Sequence, residues 1–278
     1  MSDADSTRPL PENDAEPHPM PDMPPPPPGT PARLNCVLVA GGRFHDIDFA
    51  RLELLKLLAE HPHIRTRVFE DYSNLEAIRA ADVIITYTCD VVPSLEGQEV
   101  LREWVEAGGR WFALHGTNSI LRFLADGRVD APRWAPHFMQ TLGSQFVGHP
   151  PIAPFTVEVA RPDHPLVEGV EPFETDDELY LVETHGDLDV LLDCHFEGEA
   201  TGFVEADWES ARHPVFYIAR HGEGEVLYLT LGHCRGHYDM QPFVPYYPVE
   251  ERCAWQHDVF YTLLRRGIAY VAPSEVMA

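Results

Sequence analysis

From Asn35 onward the chain alternates continuous apolar runs with stretches whose apolar residues recur at helical spacing. The run "NCVLVAGG" is apolar on successive residues and ends in glycines, the pattern of a parallel strand buried on both faces. "IDFARLELLKLLAEH" places Phe49, Leu52, Leu55 and either Leu58 or Ala59 on one helical face, behind a cap at Asp46 or Asp48. "RTRVFED" reads as a second strand, "SNLEAIRAA" as a short helix and "DVIITYT" as a third strand. "SLEGQEVLREWVEAGG" is a helix with Ser94 as N-cap and Gly108 at its stop, and "RWFALHG" is a fourth strand. Strands and helices alternating at this spacing predict βαβ units and a parallel sheet.

The second half is less regular. "PFTVEVA" and "DLDVLLDCH" read as strands, and "HPVFYIARHGEGEVLYLTLGH" as two strands around a tight turn. The last helix is expected over "EERCAWQHDVFYTLLRRGI". The expected fold class is therefore α/β, a doubly wound and mostly parallel sheet with a β-rich extension. Ligands of such sheets sit beyond the carboxyl ends of the strands.

Length and composition add a boundary. The chain has 278 residues and a mass of 31.4 kDa, and the pattern assigns residues 33–278 to one folded domain. Residues 1–32 hold 11 of the 26 prolines and six acids against one arginine, so they are expected to form a disordered, polyproline-like tail. The formal net charge is -25, which argues against nucleic acid or an anionic membrane surface as partner. Most of that acidity lies in the domain and not in the tail. No run is long enough to span a bilayer, and the first residues carry no secretory pattern. Five cysteines, Cys36, Cys89, Cys194, Cys234 and Cys253, lack CxxC spacing, so a reducing cytoplasm is the expected location.

The carboxyl-end rule gives several of the fifteen histidines a meaning. His45 follows the first strand, His115 ends the fourth and His233 ends the strand "EVLYLTLGH"; parallel neighbours would bring all three to one edge. Asp90 would join them after the third strand. His149 in "FVGHPP" and the acids Glu178 and Glu183 around Tyr180 are further candidates. His164 is expected to cap a turn, and His18, His61, His63 and His221 to be solvated. Imidazoles with carboxylates supply proton transfer near neutral pH, and the same groups bind divalent metals. No HExxH motif occurs, and His233 and His237 would share a face only on a helix, which Gly236 disfavours. No P-loop or GxGxxG occurs, so no nucleotide or redox cofactor is implied. A divalent metal is the one cofactor left open.

The motifs "WFALHGTNS", "FVGHPPIAPFTVEV", "DHPLVEGVEPFETDDELYL" and "VLYLTLGH", in this order, resemble the trehalose-utilisation ThuA-like family over Asn35 to Ala272. The resemblance implies a flavodoxin-like sheet related to class I glutamine amidotransferases. It also implies a role in carbohydrate metabolism, on trehalose-related or 3-keto sugars. In the amidotransferases the elbow after the corresponding strand carries a nucleophilic cysteine, and a later strand carries a histidine followed by an acid. Here His115 stands at the elbow and His233 at the partner position, while Arg235 replaces the acid. Without a thiolate at the elbow, glutaminase chemistry is not expected, and Cys89 is read as structural.

On this resemblance His115 and His233 act as general acid/base or as metal ligands. His45 and His149 orient the substrate, and Glu178 and Tyr180 bind sugar hydroxyls. Trp134 and Phe146 are read as stacking or core residues. Three functions stay open: a sugar isomerase, hydrolase or lyase; a non-catalytic sugar- or partner-binding domain, which the missing acid favours; and a metal-dependent hydrolase. The expected partner is a small-molecule sugar, and a homo-oligomer is left open.

Overall fold

The computed structural model describes residues 27, 29, 30 and 32–274; the expected tail over 1–32 lies almost wholly outside them. The elements in chain order are β1 (Leu34–Gly42), α1 (Ile47–Ala59), β2 (Ile64–Phe69), α2 (Leu75–Arg79), β3 (Val83–Cys89), α3 (Leu95–Glu106) and β4 (Arg110–Leu114). They continue with β5 (Arg122–Phe123), β6 (Val129–Asp130), α4 (Pro136–Leu142), β7 (Ser144–Gly148), β8 (Ala153–Val159), β9 (Phe173–Asp177) and β10 (Leu181–Thr184). The last are β11 (Leu188–Glu199), β12 (Asp207–His221), β13 (Gly224–Leu229) and α5 (Asp258–Val271).

Nine strands form one sheet in the order β2-β1-β3-β4-β13-β12-β11-β8-β9. From β2 to β13 neighbouring strands are parallel, and from β13 to β9 they are antiparallel. The doubly wound sheet and its β-rich extension are thus one continuous surface. The expected hairpin is β12–β13, closing from His221 opposite Gly224.

The parallel strands read as unbroken apolar runs because both faces are covered. Cys36, Leu38, Ala40, Ile85, Tyr87, Phe112 and Leu114 point into the core shared with α1 and α5. The alternate residues Val37, Val39, Ile84, Trp111 and Ala113 point into a second core with α2, α3 and α4. Side chains in a strand alternate between faces, so a strand between two helical layers needs apolar residues at every position.

The helix caps follow the sequence: Asp46 accepts from the Phe49 amide and Ser94 from the Gly97 amide. Two expectations change. In α1 the buried residues are Ala50, Leu54, Leu57 and Leu58, and Leu52 is 53% exposed. A helix this rich in leucine offers two overlapping apolar stripes, and its entry angle from β1 selects the one that meets the sheet. The final helix begins at Asp258, not at Glu250; residues Cys253–Gln256 form a separate 3-10 turn. Among the described residues no helix is long and apolar enough to cross a membrane.

Gly267 shows how closely α5 lies on the sheet, since a Cβ there would come within 2.4 Å of the Phe112 ring. Alanine is favoured over glycine in a helix by about 1 kcal/mol, but Phe112 is buried and cannot yield. Gly267→Ala is expected to destabilise the fold by about 1–2 kcal/mol net through overpacking, measured by chemical denaturation.

His213 on β12 gives a pH prediction. Burial lowers its pKa, and its Nε2 has no hydrogen-bond partner. The unfolded chain binds a proton at this histidine near pH ~6.5 while the folded chain does not, so stability falls as pH drops through that value. His213→Leu should flatten that acid-side decline in melting temperature; an unchanged slope would show that His213 does not contribute.

Candidate active site

The strands β1, β3, β4 and β13 are consecutive and parallel in the sheet, so their carboxyl ends form one edge. Backbone strain is concentrated there. Among the described residues, the non-glycine residues with positive φ are Phe44, Asp90, His115 and Cys253. The first three follow or end β1, β3 and β4, and Cys253 is held beside the same edge. Such conformations persist only where surrounding structure over-determines them, and they are common at functional sites.

Each histidine is fixed by its local chain. At the end of β4 the 3-10 turn His115–Asn118 runs beneath β3, where a Cβ on Gly116 would meet the Thr88 carbonyl at 2.7 Å. That is why glycine follows His115. The Tyr228 hydroxyl donates to the His115 carbonyl at 2.6 Å and accepts from the Asn118 amide at 2.8 Å, locking the elbow. At the end of β1, Gly41 and Gly42 pass against the Glu70 and Cys89 carbonyls at distances that exclude a Cβ, which delivers His45 to the edge. After β13, Gly232 with φ 123 turns the chain to place His233. Glu178 follows β9, and His149 follows β7.

The structure brings these residues together. His45 Nε2 lies 2.8 Å from His115 Nε2. Glu178 Oε2 is 3.5 Å from His115 Nε2 and 3.8 Å from His45 Nε2. Glu178 Oε1 is 3.0 Å from His233 Nδ1 and 3.4 Å from His149 Nε2. The Tyr180 hydroxyl is 3.3 Å from His115 Nε2. One donor atom each from His45, His115, Glu178 and His233 falls within 4.8 Å of the others, and all four residues are buried.

Three further residues complete the cluster. The acid missing beside His233 is supplied from elsewhere: Glu251 Oε2 lies 2.8 Å from His233 Nε2 and accepts from Arg235 at 2.8 Å. Glu251 was hidden within the expected last helix, but it is extended and bridges Arg235. Asp177 is fully buried, and its carboxylate accepts from the backbone amides of Glu178, Gly232, His233 and Ala254 at 2.8–3.1 Å. The paired acids of "DDELY" are the only sequence trace of its role. Arg235, in place of the acid, has a nitrogen 3.5 Å from Glu178 Oε1.

Burial and charge set the protonation states in opposite directions. Burial, helped by neighbouring imidazoles, pushes His45 down to about 3. Burial also opposes charging His233, but Glu178 and Glu251 outweigh it and raise it to about 9. Glu178 is held well below the usual carboxylate range because His149 and His233 overcome its burial. Burial raises Tyr180 well above its ordinary value, and the Glu178 charge adds to this.

The edge opens into a cavity of about 240 Å³. Its wall is apolar, with Phe44, Phe123, Phe146, Phe203 and Met240; its polar floor is His45, Ser119, His149, Glu178, Tyr180 and Arg235. His115 and His233 do not line it; they lie behind His45 and Glu178. The Ser119 hydroxyl is buried without a hydrogen-bond partner, a candidate that the sequence did not single out.

Other expected residues lie apart from the floor. Asp90 pairs with Arg43 and accepts from the Leu121 amide, and Glu183 pairs with Arg133 on the surface. Trp134 is 60% exposed and does not line the cavity, whereas Phe146 does. Cys89 lines it, but burial raises its thiol pKa well above the ordinary value. His237 bonds the Tyr247 carbonyl and does not join His233. His164 caps its turn as expected, accepting from the Leu166 amide. His61 and His63 pack edge to face, and the His221 Nε2 is buried without a partner, so these are not freely solvated. His18 is outside the described residues.

A parallel sheet with a histidine elbow of positive φ and an imidazole–carboxylate floor at its carboxyl edge defines a flavodoxin-like α/β protein whose candidate site lies at that edge. The chain belongs to the ThuA family, trehalose utilisation, whose pattern matches residues 37–246. Among solved structures, a ThuA-like protein from Parabacteroides merdae superimposes with a TM-score of 0.63 at 15% identity, covering 88% of this chain and 92% of that one. A ThuA-like protein from Bacteroides uniformis gives 0.62 at 17% identity, with 91% and 97% covered. A cytoplasmic protein from Salmonella typhimurium gives 0.51 at 12% identity, with 86% and 99% covered. At these identities the likeness is one of fold. No curated protein matches the chain.

Asp177→Asn would point an amide donor at two of the four backbone N–H groups the carboxylate now satisfies. Each buried donor left unpaired costs about 1–3 kcal/mol, so a loss of about 2–6 kcal/mol is expected in denaturant unfolding. A loss under about 0.5 kcal/mol would show that these bonds do not hold the edge together.

Proposed function

We propose that the cavity is the active site of an enzyme of carbohydrate metabolism that takes one ring of a trehalose-related or 3-keto sugar and moves a proton on it. The observation that carries this reading is the division of the cavity into an aromatic wall and a floor of buried imidazoles, carboxylate and phenol. A sugar ring has the matching character: C–H faces that lie against aromatic rings and a rim of hydroxyls that needs hydrogen bonds. At about 240 Å³ the cavity is below the ~300–1,000 Å³ typical of sites for drug-sized ligands, which suits one ring better than a disaccharide.

The roles follow from exposure. Phe146 and Phe203 support the ring, and Tyr180, Ser119 and Arg235 meet its oxygens. His149 is the most accessible imidazole of the cluster, with a side chain 22% exposed. Its Nδ1 donates to the Pro150 carbonyl at 2.7 Å, which leaves Nε2 on the Glu178 side to take or give a proton. His115 and His233 act from behind the floor, through His45 and Glu178. A ketone at the sugar's third carbon acidifies the adjacent C–H bonds, so a base of ordinary strength can begin isomerisation or elimination. Acyl transfer from glutamine is not part of this reading, because the elbow carries an imidazole in place of a thiolate. The five cysteines are free and buried, which supports placing the protein in a reducing cytoplasm.

The test is exchange of the C–H hydrogens beside the ketone of 3-keto-glucose and 3-keto-trehalose, followed by NMR in D₂O. Exchange catalysed by the parent and reduced about 10²–10⁴-fold in His149→Ala, with little change in KM, is expected. Binding without exchange would instead establish a sugar-binding domain. A protein that binds neither sugar would overturn the reading altogether.

A further inference from the structure

We propose that His45 Nε2, His115 Nε2, His233 Nδ1 and the Glu178 carboxylate form the binding site of a divalent transition-metal ion of the zinc type. The lone pairs of His45 and His115 point at one another across this space. His115 Nδ1 lies 2.8 Å from the Thr230 carbonyl, and His45 Nδ1 lies 3.3 Å from the Arg43 carbonyl. A carbonyl only accepts, so both Nδ1 atoms carry the proton and both Nε2 atoms present lone pairs. These lone pairs face each other over 2.8 Å. His233 Nε2 donates to Glu251, and its buried Nδ1 has no aligned hydrogen-bond partner although Glu178 Oε1 is 3.0 Å away. Two imidazole lone pairs, the Nδ1 of His233 and a carboxylate therefore converge, and an ion binding there would displace the proton that Glu178 and Glu251 favour on His233. The two facing lone pairs and the carboxylate repel one another in a buried space, and a divalent cation bound among them would remove that repulsion.

The spacing agrees. Tetrahedral bonds of about 2.0–2.1 Å to nitrogen and oxygen put neighbouring donor atoms roughly 3.4 Å apart. The separations on which this rests are 2.8 Å between the two Nε2 atoms, 3.0 Å from Glu178 Oε1 to His233, and 3.5 and 3.8 Å from Glu178 Oε2 to His115 and His45, with all four donors within 4.8 Å of one another. Three imidazoles with one carboxylate suit Zn²⁺ and its first-row neighbours, whereas Mg²⁺ and Ca²⁺ take oxygen donors. The supporting groups have the form expected around a metal: each ligating imidazole uses its other nitrogen on a carbonyl or a carboxylate.

His45 and Glu178 also line the cavity, so an ion held there borders the space assigned above to the sugar. It would polarise a carbonyl oxygen. For that role in turnover the proposal rests on the reading above; for metal binding it does not.

The experiment adds Zn²⁺ to the full chain after chelator treatment and follows binding by titration calorimetry and elemental analysis, with Mg²⁺ and Ca²⁺ in parallel. The expected result is about one Zn²⁺ per chain, no retention of Mg²⁺ or Ca²⁺, and loss of binding in His45→Ala. Glu251→Gln is a milder variant, expected to weaken binding about 10–100-fold. Its metal-free circular dichroism should match the parent, which separates loss of a supporting bond from unfolding. Zn²⁺ binding that is absent from the parent, or unaltered in both variants, would overturn the proposal. Zn²⁺ bound at this site without exchange on any sugar would leave the metal centre standing and remove the enzymatic reading. Exchange at full rate in verified metal-free protein would leave the enzymatic reading standing and remove the ion's role in turnover.

Discussion

The buried carboxylate of Asp177 is the tie on which the candidate site depends. The end of β9, the turn before His233 and the 3-10 turn near Ala254 are not paired with one another as strands. Their buried amide hydrogens still require acceptors. Asp177 accepts from four of them, with an ionised group in a low-dielectric setting where such bonds are strong. Glu178 is the next residue along, His233 lies on the second segment, and Glu251 precedes the third. One side chain thus sets the relative positions of three members of the cluster.

The sheet supplies the rigid side of this arrangement. β1, β3, β4 and β13 are covered on both faces, which leaves their carboxyl ends as the place where irregular backbone can gather. Positive φ at Phe44, Asp90 and His115 shows how abruptly the chain leaves those strands. The antiparallel half contributes the facing side, carrying Glu178 at the end of β9 and bringing Tyr180 with it. The cavity lies between a rigid parallel edge and an extension anchored to the same sheet, so its two walls are coupled through continuous strand pairing.

Charge in the cluster is balanced by residues far apart in the chain. Arg235, where an acid is expected, lies between Glu251 and Glu178 and offsets part of their negative charge. Glu251 takes over as partner of His233. An acid–histidine contact is therefore made, with its acid drawn from another segment. The elbow residue His115 is an imidazole that faces two other imidazoles, an arrangement suited to holding a proton or a metal ion.

Much of this was legible along the chain. The apolar runs, the caps at Asp46 and Ser94, and the histidines after successive strands rest on short-range physics: period, capping and the carboxyl-end rule. His45, His115, His149, Glu178, Tyr180 and His233 were all identifiable on those grounds together with the family resemblance. What the chain alone did not reveal was depth and partnership. Which leucine stripe of α1 faces the sheet depends on an entry angle, and the placement of His115 and His233 behind the floor depends on how loops stack. The pairing of Glu251 with His233 and the four bonds of Asp177 join segments widely separated in sequence. No local pattern encodes such contacts, because they form only when burial brings unpaired polar groups together and leaves each other as their only available partners.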